Sequence, residues 1–348
     1  MNANGRIYVL GIETSCDETS AAIVRAPGEI LSNEISSSLE LHKKYGGVIP
    51  EIASRMQLEL ICKVVDYAFK KARVRSKDID LISVTSGPGL MGSLVVGISF
   101  AKALSLALGV PLLGVNHLDG HIFANFLITR TNHGKSRNLN KIPVLAKSLP
   151  FVALVVSGGH TSLMYLRGVD EIETIGSTRD DACGEAFDKV AKILGLGYPG
   201  GPIIERLARN GNPNRIKFNC SNTERPLDFS FSGIKTAVLY AVRQRRLAPN
   251  EKKDIAASFQ EAVCDTLIRK SLLACRLKKT NRLFVGGGVA ANNRLREKLC
   301  AQMLGEKIKV YFPAPRLCTD NASMVAGLGY LLFKKGYRDS LDLSVQSG

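Results

Sequence analysis

Residues 7–25, IYVLGIETSCDETSAAIVR, and residues 151–166, FVALVVSGGHTSLMYL, follow one plan. In each, an apolar run (Ile7–Glu13, Phe151–Val156) meets a short turn of small and polar residues, TSCDET or SGGHT. A second run with period-two alternation then returns (Ser20–Arg25, Ser162–Leu166). Aliphatic runs of this length bounded by turn residues read as paired strands. Identity between the copies is slight; the shared plan carries the inference. A strand–turn–strand unit opening each half predicts a two-lobed fold with a cleft between the lobes.

Outward from these hairpins, strands and helices alternate. Strands are expected at Ile30–Ile35, Leu81–Thr85, Leu112–Val115, Arg282–Val285 and Lys309–Phe312. Helices are expected at Glu51–Ala72, Leu94–Leu108, Ala182–Leu194, Pro202–Arg209, Ser232–Arg245, Lys252–Lys278, Arg294–Met303 and Asn321–Phe333. This alternation defines the α/β class. Residues 129–148 differ: they carry Arg130, Lys135, Arg137, Lys141 and Lys147 with no acidic residue, and read as a basic connector between lobes.

The chain has 348 residues, with 47 Lys and Arg against 31 Asp and Glu, a net charge of +16. An excess of that size points to a polyanionic partner, nucleic acid or an anionic membrane surface. No apolar run is read as reaching the ~18 residues of a membrane span, so no membrane role is expected. The first residues enter a strand with no signal-peptide core. Eight cysteines lack any C-x-x-C pair, which argues for reduced thiols, a cytoplasmic location, and neither a disulfide frame nor a thiolate zinc site.

Two of only five histidines, His117 and His121, stand four apart in HLDGH. On a helix that spacing puts both imidazoles on one face. With a carboxylate such as Asp320, in RLCTDNAS, they would make a three-ligand metal site with an open position. The same spacing fits a helix with one packed and one solvated histidine. Four turns, TSCDETS, SGPGLMGS, VSGGHTS and GGGVAANN, put small residues where buried strands end, as suits backbone N–H groups facing a nucleotide phosphate. None is a P-loop or a dinucleotide fingerprint. Asp17, in the first turn, could act as a base or simply shape the turn. Asp188 could face a ligand or pair with Lys192.

Taken together, GIETSCDETS, HLDGH, VSGGHT, DDACGEAFDKVAKILGLGYPGGP, FSFSGIKTAV, GGGVAANNRLR and CTDNASM resemble the TsaD family of tRNA N6-adenosine threonylcarbamoyltransferases. The resemblance runs nearly end to end. It implies the two-lobed fold of actin, hexokinase and Hsp-type ATPases, with a first lobe over residues 1–128 completed by 318–348, a connector over 129–150 and a second lobe over 151–317. It implies transfer of a threonylcarbamoyl group from threonylcarbamoyl-AMP to N6 of the adenosine 3′ to the anticodon, in tRNAs reading codons that begin with A. The implied metal ligands are His117, His121 and Asp320, holding one divalent ion per subunit, Fe2+ ahead of Zn2+. The implied adenylate contacts are Val155, Val156, Ser157, Gly158, Gly159, Asp188, Gly201, Glu205 and Asn292, and Asp17 becomes the candidate catalytic carboxylate. Implied partners are the tRNA anticodon arm, a TsaB-like paralogue and a TsaE-like ATPase. The basic connector and Arg243, Arg245, Arg246, Lys252 and Lys253 are candidates for tRNA phosphates.

Competing readings are a sugar- or acetate-type kinase of the same superfold, a metallo-endopeptidase and a basic RNA-binding scaffold. A zincin places Glu directly after its first histidine; here that position is Leu118.

Overall fold

The computed structural model describes residues 6–129, 145–243 and 247–346. The chain forms two compact units, residues 1–147 with 319–348, and residues 148–318.

The first unit starts with the meander β1 (Tyr8–Glu13), β2 (Glu18–Arg25) and β3 (Glu29–Ser37), all antiparallel. Helices α1 (Leu39–Lys43) and α2 (Pro50–Ala72) follow. Pro50 opens α2, where its missing N–H costs nothing. Then come β4 (Leu81–Gly87), α3 (Met91–Leu108), β5 (Leu112–Asn116), α4 (His117–Phe123) and β6 (Ile128–Thr129). The sheet order is β5-β4-β1-β2-β3-β6, with β4 and β5 parallel to β1. The central strands are buried on both faces, which is why YVLGI and LISV read as unbroken apolar runs.

Helix α5 (Leu145–Ser148) leads into the second unit. Its meander is β7 (Phe151–Val156), β8 (Thr161–Leu166) and β9 (Ile172–Ser177). Helices α6 (Cys183–Ile193), α7 (Gly200–Ala208), α8 (Ser232–Val242) and α9 (Pro249–Leu277) precede β10 (Arg282–Gly286), α10 (Asn293–Gly305) and β11 (Lys309–Tyr311). The order is β11-β10-β7-β8-β9, with β10 and β11 parallel to β7. Strand for strand this repeats β5-β4-β1-β2-β3. The duplication read in the two hairpins therefore extends over five strands of each sheet. A final helix, α11 (Ala322–Lys334), returns to the first unit, with Ala322, Met324, Val325 and Ala326 fully buried.

One expectation needs correction. Helix α3 is 18 residues long with a mean hydropathy of 1.7, apolar enough to cross a membrane. Ser93, Gly97, Ser105 and the single charge Lys102 break its apolar look in the sequence. Ser93, Leu94, Gly97, Ile98, Ala101 and Ser105 are its buried face, and Ile98 and Ala101 join the core that includes Leu10, Ile12 and Ile82. Helix α8 ends at Val242, three residues short of the expected Arg245. The connector, apart from its ends, and Arg245 and Arg246 lie outside the described residues.

Candidate metal centre and nucleotide-facing turns

Helix α4 begins immediately after β5. Asn116 caps it, its Oδ1 accepting from the N–H groups of Leu118 (2.9 Å) and Asp119 (3.2 Å). That cap fixes His117 in the first turn and His121 one turn on, with ring centroids 4.7 Å apart at an interplanar angle of 79°. Asp320 arrives from the far end of the chain. Its position is set by α11, whose Asn321 cap accepts from Met324 N–H (3.2 Å). The first N–H groups of α11 also donate to Ser20 Oγ (2.9 Å) and Asn33 Oδ1 (3.2 Å) on β2 and β3.

Asp320 Oδ1 lies 3.1 Å from His121 Nε2 and 3.5 Å from His117 Nε2. One donor atom from each of the three falls within 4.8 Å of the others. His121 is fully buried, yet neither ring nitrogen has a hydrogen-bond partner among the described residues. The approach to Asp320 is at ion-pair distance but misaligned for a hydrogen bond. Two orphaned nitrogens in a core cost roughly 1–3 kcal/mol each. A cation accepting the Nε2 lone pair removes one of those penalties, so the residues present fit a metal ion.

His117 is held from behind. Its Nδ1 lies 3.1 Å from Glu13 Oε2 and 3.1 Å from Ser15 Oγ. Burial pulls the imidazole pKa down, but the carboxylates of Glu13 and Asp320 outweigh it and raise it to about 9. Burial would raise Glu13, but His117 holds it below its ordinary value. Glu18 is pushed up to about 10, by burial first and then by Asp320 and Asp17. Burial raises Asp119 to about 7. Two carboxylates, Glu13 and Asp320, thus neighbour the imidazoles, and Glu18 and Asp17 lie close enough to feel Asp320 or one another.

The Asp17 turn is clamped. Gln57 Nε2, from α2, donates to the carbonyls of Cys16 (2.8 Å) and Glu18 (3.0 Å), and Ser38 Oγ donates to that of Asp17 (2.8 Å). The Asp17 carboxylate neighbours Glu18.

The glycine-rich turns divide into two kinds. A Cβ on Gly89 would stand 2.5 Å from the Ser15 carbonyl, and one on Gly287, with φ of +89°, 2.3 Å from that of Val156. Those glycines permit close backbone packing. Gly158 and Gly159 are exposed and meet nothing within 4 Å, and neither does Gly201. Around them, Ser157 N–H donates to the His160 carbonyl (2.8 Å), and the N–H groups of Gly184 and Glu185, at the start of α6, donate to the Ser157 and Gly158 carbonyls (3.0 and 3.1 Å). The SGG turn is thus fixed by the Ser157 N–H and by the Ser157 and Gly158 carbonyls.

Val155 and Val156 are fully buried in β7, paired with β8. Asp188 Oδ1 accepts from Gly200 N–H (2.6 Å), the start of α7, rather than serving Lys192. Its pKa is raised by burial, against the pull of the Gly200 and Gly201 N–H groups. Asn292 caps α10 through Leu295 N–H (3.0 Å) and donates to Gln260 Oε1 (2.9 Å). Glu205 Oε1 accepts from Asn293 Nδ2 (2.7 Å) and Asn293 N–H (3.2 Å). Of the basic candidates, Lys252 Nζ donates to the Leu194 carbonyl (2.8 Å) at the end of α6, which gives it a helix-capping use.

The missed residue is Glu13, a carboxylate ending an otherwise apolar buried strand. That anomaly was legible in YVLGIE. The candidate metal ligands belong to the first unit, and the candidate adenylate contacts from Val155 to Asn292 to the second.

The duplicated α/β fold defines a class: two-unit proteins of the actin, hexokinase and Hsp-type ATPase fold. Among solved structures, HypF from T. kodakarensis superposes with a TM-score of 0.60 at 16% identity, over 95% of this chain and 48% of that one. Component A of (R)-2-hydroxyglutaryl-CoA dehydratase from Acidaminococcus fermentans gives 0.54 at 14% identity, over 95% and 100%. At such identity these show the fold alone.

The profile of TsaD, tRNA N6-adenosine threonylcarbamoyltransferase, matches residues 29–327, and the chain belongs to that family. A Clostridium kluyveri relative of that name is 49% identical over 342 residues, 97% of this chain and 96% of its own. One from Thermosipho africanus is 52% identical over 333 residues, 95% and 96%. The chain is a transferase acting in tRNA threonylcarbamoylation, and the kinase and metallo-endopeptidase readings are not favoured.

Proposed function

We propose that His117, His121 and Asp320 hold one divalent cation, Fe2+ or Zn2+, in a cytoplasmic enzyme that takes its acyl group from threonylcarbamoyl-AMP. The observation that carries the site is the pair of partnerless His121 nitrogens beside Asp320 Oδ1. The cation supplies Lewis-acid polarisation of an acyl carbonyl.

The rest falls to the chain's own groups. The open Gly158–Gly159 backbone receives the adenylate phosphate. Ser157, Val155 and Val156 set that turn through their backbone. Asp188, Gly201, Glu205 and Asn292 order the neighbouring helix starts and contact the adenosine. Adenine N6 is a weak nucleophile because its lone pair is conjugated into the ring, so positioning must supply much of the rate. Asp17 takes the proton that N6 loses. The excess positive charge holds the tRNA anticodon arm through phosphates. A TsaB-like paralogue and a TsaE-like ATPase complete the assembly, docking on α2 and α3, which expose Leu58, Tyr67, Val95 and Leu106.

His121→Leu tests the reading. With partners, tRNA, threonine, bicarbonate and ATP, mass spectrometry of nucleosides should show no modified adenosine. The metal-free variant should unfold at a higher temperature than the metal-free parent, because both orphaned nitrogens are gone. Full modification by the variant overturns the proposal.

A further inference from the structure

We propose that Glu13 is a positioning residue of the metal centre: through His117 Nδ1 it fixes the ring so that Nε2 faces the cation, an inference that rests on the triad reading above.

The geometry is that of a carboxylate locked as an acceptor. Glu13 is fully buried at the end of β1. Its Oε1 accepts from Ser15 N–H (2.5 Å), and its Oε2 from Thr85 Oγ–H on β4. Both oxygens are therefore already engaged by groups that can act as donors toward them. The contact of 3.1 Å from Oε2 to His117 Nδ1 then requires the proton on the imidazole side. With Nδ1 protonated, a cation that displaces the other proton meets the lone pair of Nε2, the nitrogen that lies 3.5 Å from Asp320 Oδ1. Ser15 Oγ, also 3.1 Å from Nδ1, closes the same side of the ring. A carboxylate behind a metal-bound histidine orients the ring and raises its basicity.

A purely structural Glu13 is the competing account. It accounts less well for the position: two N–H or O–H donors and an imidazole converge on one buried carboxylate, the imidazole belonging to the triad. His121 has no such partner, since its Nδ1 is unbonded among the described residues. The two ligands are thus held differently, His117 by a carboxylate and His121 by packing.

The test uses the full chain, stripped of metal, and Zn2+ or Co2+ alone. Glu13→Gln keeps the size and an oxygen acceptor but can turn an amide N–H toward Nδ1. Zn2+ affinity, read by competition with a chromophoric chelator, should fall by about 10- to 100-fold. The visible spectrum of the Co2+-loaded variant should change shape, which a loss of stability alone would not cause. If Glu13→Gln does not fold, Thr85→Val substitutes for it: it leaves the carboxylate but removes one of its donors, and should weaken Zn2+ several-fold. A folded variant with parental Zn2+ affinity and an unchanged Co2+ spectrum overturns the inference. A parent chain that binds neither ion overturns the triad reading itself, and the two failures are told apart by the parent's own titration.

Discussion

Gly11→Ala probes how packing sets the proposed metal site. Gly11 lies in the middle of β1, where α11 crosses. An added Cβ would stand 2.1 Å from the Ala322 carbonyl oxygen and 2.9 Å from both the Cβ and the backbone nitrogen of Ala326. The nearest obstacle is backbone, so no side-chain rotation relieves it. Comfortable non-bonded separations begin near about 3.5 Å, so α11 must retreat by roughly 1 Å. Overpacking of this kind costs about 1–3 kcal/mol. At about 2–4 °C per kcal/mol, the first unit should melt roughly 2–12 °C lower. The larger effect should be on the ligand. Asp320 is two residues from Ala322 and only 3.1 Å from His121 Nε2. Metal–ligand distances are workable only within about 0.2 Å, so a retreat of this size should reduce Zn2+ affinity at least tenfold. Calorimetric Zn2+ titration and a thermal melt measure both quantities. A Gly11→Ala protein with parental melting temperature and parental affinity would refute the idea that α11 is seated by contact with a bare backbone.

Two further outcomes follow from the geometry. Gly158→Ala and Gly159→Ala enter open space, so thermal melts should match the parent, while binding of a non-hydrolysable acyl-adenylate analogue, read by calorimetry, should weaken; a cost in stability with no cost in binding would make these glycines structural. Asp181 should support the fold in a pH-dependent way. Burial alone would raise its pKa, but Lys189 and Lys235 at 2.6 and 3.1 Å hold it below its ordinary 3.8. A depressed carboxylate stabilises above the unfolded-state pKa, and the benefit fades as pH falls through the folded value. Asp181→Asn should therefore lower the melting temperature at pH 7 and lose that difference in acid, and an equal deficit at both pH values would discount the ion pairs.

The strands of both meanders, except β9, were legible because buried runs such as FVALVV carry no polar interruption. β9 was not: IETIGS is an edge strand in which Gly176 alone is buried, so it shows no apolar run, and Glu173 and Thr174 read as loop. The histidine pair was legible from spacing, because a helix of seven residues with an Asn cap is enough to align i and i+4. Glu13 escaped because a lone acid beside a turn looks like turn chemistry; only the pairing of β1 with β4 and the return of α4 surround it with donors. Spacing alone left the choice of third ligand open, since nothing local links Asp320 to α4. Nor could the sequence separate the glycines that pack, such as Gly89 and Gly287, from the open ones at 158 and 159. That distinction depends on which backbone passes nearby.

Because α11 closes the first unit, that unit is encoded in two pieces with the whole second unit written between them. A chain leaving the ribosome carries both imidazoles long before the acid that joins them. Until α11 emerges, Gly11 and its strand have a bare face, and only two of the three side chains proposed to hold a cation are present. A cation held by all three side chains would therefore wait until the whole second unit had been made.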